Sequence, residues 1–127
     1  MGVSPSFRTF VLEQLSRLDP RIRARSMFGG VGIYSGELFF ALIDEDTLYF
    51  KVDDSNRPEF IARGMGPFQP GGPAGETMQY YEVPPDLLED AEALRSWVEK
   101  AVDVARRKRT ARSRRRPPGA REGGKDR

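Results

Sequence analysis

The residues available for chemistry are few, because the 127-residue sequence contains neither histidine nor cysteine. That removes the commonest general base, the commonest zinc ligand and every Ser-His or Cys-His nucleophile pair. Asp44, Glu45, Asp46, Asp53 and Asp54 are close enough in sequence to suggest a site for Mg²⁺ or Ca²⁺. They lack the alternation and central glycine of a calcium loop, and solvated turn and helix-cap carboxylates are the simpler reading. Phe28-Gly29-Gly30-Val31-Gly32 has the glycine content of a phosphate loop, but such a loop must open onto a helix N-terminus. Here β-favouring residues follow, which points to a tight hairpin turn using positive φ. Lys51 beside Tyr49 is either a reactive amine lowered by burial or a solvated strand lysine that discourages edge pairing. Trp97 and the Tyr80-Tyr81 pair would suit base or ligand stacking, although their helical and strand spacing marks them as core and rim. The expectation is a chain with no catalytic residue, no metal site and no cofactor, and therefore not an enzyme.

Charge divides the chain. Residues 106–127 hold eleven of the 21 Lys and Arg but two of the 19 acids, a net +9, which leaves −7 on residues 1–105. The same C-terminal segment contains no Val, Ile, Leu, Met, Phe, Tyr or Trp. The pI near 9.1 thus belongs to the tail, and the body is acidic. Arg106, Arg107, Lys108, Arg109, Arg112, Arg114, Arg115 and Arg116 are the candidate nucleic-acid contacts. Such a run neutralises phosphates and releases counterions without reading sequence, since it carries no aromatic residue to stack on bases. A solubilising tail, or one that folds back on the acidic body, is the alternative. The expected division is a domain over residues 1–108 and a disordered basic tail over residues 109–127.

The elements that would position these residues follow from spacing. Ser4-Pro5 reads as a helix cap with proline at the first helical position, and Phe7, Phe10, Val11, Leu15 and Leu18 form one apolar face. Arg25-Ser26-Met27-Phe28 leads into Gly29-Gly30. Three strands then follow at Val31–Tyr34, Leu38–Ile43 and Leu48–Val52, separated by Gly or Asp turns. Leu38–Ile43 is apolar on both faces and belongs in the centre, covered on both sides; Leu48, Phe50 and Val52 face the core while Tyr49 and Lys51 face out. A short helix after Asp53-Asp54-Ser55 buries Phe60 and Ile61. A Gly/Pro-rich loop, with Met65 and Phe68 as a short edge strand, precedes a strand at Met78–Val83. Asp90 caps a last helix with Leu94, Trp97, Val98, Ala101 and Ala105 on its stripe. The order α-β-β-β-α-β(β)-α predicts a two-layer α+β domain on an antiparallel sheet. The chain shows no secretory h-region and no apolar run near the ~20 residues of a membrane span, so a cytoplasmic location without membrane contact is expected.

Several of these stretches together resemble the N-terminal domain of TfoX/Sxy proteins. They are Arg25 through Tyr34, Phe40-Ala41-Leu42-Ile43, Thr47 through Asp53, Asn56-Arg57-Pro58, Tyr80-Tyr81-Glu82-Val83-Pro84, and Leu94 through Trp97, over roughly residues 5–108. The resemblance implies an α+β fold without a known catalytic site. It also implies a regulator of competence genes that acts with the cyclic-AMP receptor protein; longer members carry a helical second domain where this sequence has its basic segment. The motif positions Met27, Phe28, Gly29, Gly30, Tyr49, Lys51, Tyr80 and Tyr81 are the candidate surface. Three functions are consistent with this reading. The first is a regulatory or interaction domain that binds a protein partner through its body and nucleic acid non-specifically through its tail. The second is a small-ligand-binding or cryptic enzymatic domain built on the Gly29–Tyr34 hairpin, Lys51 and Tyr81. The third is a scaffold that forms a homodimer through an exposed sheet edge.

Overall fold

In the computed structural model, residues 3–27, 29–69 and 79–115 are described, with the backbone alone at 112–115. Helix α1 (Pro5–Leu18) starts at the expected cap: the Ser4 hydroxyl accepts from the Phe7 N–H at 3.3 Å, and Pro5 takes the first helical position. Four strands follow, β1 (Ile22–Met27), β2 (Gly30–Ser35), β3 (Leu38–Asp44) and β4 (Thr47–Lys51). Helix α2 (Arg57–Ala62), strand β5 (Tyr80–Glu82), a 3₁₀ turn (Pro85–Glu89) and helix α3 (Ala91–Arg115) complete the described chain. The strands form one antiparallel meander in the order β1-β2-β3-β4-β5, so β3 is central as expected. Among the described residues, however, the helices cover only one of its faces, and the expected cover on the second is not found.

The core lies on one face of this sheet. Val31, Ile33, Phe40, Ala41, Ile43, Leu48, Phe50 and Val52 from the strands meet Val11 and Leu15 of α1, Phe60 of α2, and Leu94, Val98 and Ala101 of α3. Phe60 packs edge-on against Trp97, with ring centroids 4.8 Å apart. Two buried polar contacts orient the elements. The Gln14 amide donates to the Leu88 carbonyl at 2.6 Å, and Asn56, 1% exposed, accepts from the Asp53 N–H and donates to the Lys51 carbonyl.

The structure departs from the sequence-based expectations at identifiable places. Ile22–Met27, read as a lead-in, is the edge strand β1; Ile22 and Ala24 pack on the core while Arg23 and Arg25 point outward. The order is therefore α-β-β-β-β-α-β-α, and the extra strand at Met65–Phe68 is reduced to a bridge between Pro67 and Tyr81. Ile61 is 56% exposed, because six residues of α2 present only Phe60 to the core. Helix α3 continues to Arg115, so residues 109–115, assigned from the sequence to a disordered tail, are helical; residues 116–127 lie outside the described residues. Among the described residues no helix is long and apolar enough to cross a membrane.

Candidate functional site: the open sheet face and the basic helix

The register between β2 and β3 decides what the second face of the sheet carries. Ile33 pairs with Ala41 and Tyr34 with Phe39, which leaves Phe40 as the extra residue of a β-bulge. The bulge lets Phe40 and Ala41 both enter the core and turns Phe39 to the opposite face. There Phe39 stacks with Tyr34 at 5.2 Å and meets Tyr80 of β5 at 5.7 Å, while Phe68 lies 4.8 Å from Tyr49. The side chain of Lys51 lies over the Tyr80 and Phe39 rings at 5.1 and 5.8 Å, and Arg23 lies over Tyr34 at 5.0 Å. The helices cover one face of the sheet, and an aromatic strip with cations over its rings covers the other.

An apolar hollow of about 280 Å³ opens on this strip, lined by Met27, Phe39, Leu42, Phe68 and Tyr80, with Asp44 at its margin. Two glycines shape its approach. A Cβ on Gly32 would stand 2.5 Å from the Met27 methyl, and one on Gly30 would stand 2.5 Å from the Ile43 carbonyl oxygen. Gly29 closes the β1–β2 hairpin at φ +81, the left-handed conformation expected for that turn.

The protonation states disfavour acid–base work here. Burial pushes the Tyr80 phenol well above its ordinary range, helped by Tyr34, and burial together with Glu82 and Asp44 raises Tyr49. Both stay protonated at neutral pH, so neither supplies a phenolate base. The acidic cluster separates by role. Glu45 and Asp46 occupy the positive-φ positions of the β3–β4 turn, and Asp53 holds the loop before α2 through the Ser55 N–H and hydroxyl. Among the described residues no group of three or more acids is placed to hold a metal ion.

With the fold and this face established, comparison with known families is decisive. The sequence model of the TfoX N-terminal domain matches residues 13–105. The chain belongs to that family. No curated protein matches it. In this TfoX N-terminal domain the motif positions fall on three surfaces. Met27, Gly30 and Tyr80 line the hollow, and Tyr49 and Lys51 share its face of the sheet. Gly29 belongs to the hairpin turn. Tyr81 faces the other way and packs against Phe60 at 6.1 Å. Phe28 lies outside the described residues. Phe39, Leu42 and Phe68, which complete the hollow, were missed as site residues because apolar side chains in a strand pattern read as core.

The basic candidates divide differently. Arg106 pairs with Asp103, Arg107 with Asp53 and Ser55 (3.1 and 2.9 Å), and Arg109 with Glu37 (3.3 Å). Arg107 also helps lower the Asp53 carboxyl: burial raises it, and the Ser55 hydroxyl, the Ser55 N–H and Arg107 outweigh that. Arg106 thus pairs within its own helix, while Arg107 and Arg109 reach back to the acidic body; each is about half exposed, where such pairs contribute roughly 0–1 kcal/mol. Lys108 is half-buried on the same helix; Arg112, Arg114 and Arg115 continue it, and Arg116 lies outside the described residues.

Proposed function

We propose that this domain is a non-enzymatic regulatory module that binds a protein partner through its acidic body and holds nucleic acid through the basic end of α3. The observation that carries the reading is the continuity of α3. One helix buries Leu94, Val98, Ala101 and Ala105 in the core and then runs on through the arginine-rich segment to Arg115. A phosphate-binding arm built this way moves with the body and does not trail from it. Because Arg106, Arg107 and Arg109 are engaged by carboxylates, the arm's phosphate contacts are assigned to Arg112, Arg114, Arg115 and Arg116. A role in transcription, including competence, would then require the body to supply specificity, since the arm has no group that reads a base.

Fluorescence anisotropy with labelled duplex DNA across a salt series tests this. The full chain is expected to show a log–log salt slope steeper than about −3, from four phosphate contacts at about −0.9 each. Replacing Arg112, Arg114, Arg115 and Arg116 by Gln should remove most of that slope. Equal binding by this variant and the parent would remove the arm from the proposal.

A further inference from the structure

The hollow on the open sheet face has features that a simple packing role leaves unexplained. Tyr80 is 6% exposed and lines it, yet among the described residues its hydroxyl has no hydrogen-bond partner. The carboxylate of Asp44, which also lines the hollow, takes no hydrogen bond or ion pair from the described residues. A buried hydroxyl without a partner costs stability, and a carboxylate beside an apolar surface attracts a donor. Among the described residues the lining is otherwise apolar, with Phe39, Phe68 and Tyr80 presenting rings and Met27 an adaptable thioether.

We propose that this hollow is a binding site for a small planar aromatic amine, one or two fused rings bearing an ammonium or N–H donor. Size sets the first limit. A cavity of ~150 Å³ holds a benzene, so about 280 Å³ has room for one or two rings. Ring chemistry sets the second, because aromatic lining favours stacked or edge-on planar partners. Charge sets the third. Asp44 borders the hollow, whereas Lys51 is absent from its lining and lies over the Phe39 and Tyr80 rings. A donor on the ligand would meet the Asp44 carboxylate, and an anionic substituent would be repelled by it. The site uses none of the arginines of α3, so it stands or falls independently of nucleic-acid binding.

Titration of the full chain, followed by backbone amide NMR, tests it with tryptamine, indole and indole-3-acetate as probes up to roughly 5 mM. Saturable shifts are expected at Gly30, Leu42, Asp44 and Tyr80, with tryptamine binding about five-fold tighter than indole, the scale of one partly exposed charge pair. Indole-3-acetate should be weakest. Asp44→Asn should keep indole binding and erase the advantage of tryptamine. Leu42→Trp, which fills the hollow from the exposed face, should abolish all three while the amide spectrum stays dispersed. The proposal is overturned by an absence of saturable shifts, by shifts centred elsewhere, by tighter binding of the acetate than the amine, or by an unchanged preference in Asp44→Asn.

Discussion

Replacing Gly30 by alanine should damage this fold far more than the same change two residues later at Gly32. At Gly30 the new Cβ would lie 2.5 Å from the Ile43 carbonyl oxygen, a backbone atom of the central strand. Ordinary carbon–oxygen contacts across strands are about 3.3 Å or more, so β2 and β3 must part locally by about 0.8 Å. That strains the ladder where Val31 pairs with Ile43, beside the bulge that seats Phe40. Overpacking of this kind costs about 1–3 kcal/mol, offset by up to ~1 kcal/mol from the lower chain entropy of unfolded alanine. A net loss of about 2 kcal/mol corresponds to a fall in Tm of roughly 8–16 °C for a domain near 100 residues. At Gly32 the Cβ would meet the Met27 Cε at 2.5 Å and Phe39 Cε1 at 3.1 Å. These are side-chain atoms, and methionine can swing away, so Gly32→Ala should stay within about 1 kcal/mol of the parent. Urea and thermal unfolding of both variants, followed by circular dichroism, measure the contrast. Equal destabilisation, or a larger effect at Gly32, would show that the strand spacing is not held as described.

Two further predictions concern buried polar contacts. Asn56→Ala removes the side-chain acceptor of the Asp53 N–H and the side-chain donor to the Lys51 carbonyl, both in a buried setting. It should cost about 2 kcal/mol or more by urea unfolding, with Asn56→Asp no better because a carboxylate cannot donate to the carbonyl. Asp19 titrates below its ordinary 3.8: burial raises it, but the Ser35 hydroxyl and the backbone and side chain of Arg21 more than compensate. A carboxyl depressed in the folded state contributes stability above its unfolded pKa and loses it as pH falls through the lower folded value. Asp19 and Asp53 should therefore leave stability level from pH 7 to about pH 5 and weaken it below about pH 4. Ser35→Ala, which removes the strongest lowering contact while burial persists, should move this acid limb to higher pH. Urea midpoints scaled to pH 7 that superimpose on the parent curve would refute that role for Ser35.

Much of the architecture was legible from local pattern. The cap at Ser4-Pro5, the period-two run through Leu48, Phe50 and Val52, the Gly29 turn and the stripe of α3 each depend on neighbours a few residues apart. Edge strand β1 was obscured because an edge buries only alternate side chains, and the Arg23 and Arg25 between them mask the pattern. The end of α3 was misplaced because the loss of apolar residues marks where the core stops, not where the helix must.

By itself the sequence determined that there is no histidine or cysteine chemistry, that the body is acidic and the C-terminal segment basic, and that helices alternate with an antiparallel meander. Tertiary structure alone decided the bulge at Phe40, the turning of Phe39 outward, and the meeting of Met27, Phe39, Leu42, Phe68 and Tyr80 around one hollow beside Asp44. It also decided that Arg107 and Arg109 reach Asp53 and Glu37, partners 54 and 72 residues away. The physical reason is range. Periodicity and turn chemistry act over a few residues, whereas register and side-chain convergence are set by how separate strands and helices pack into one core.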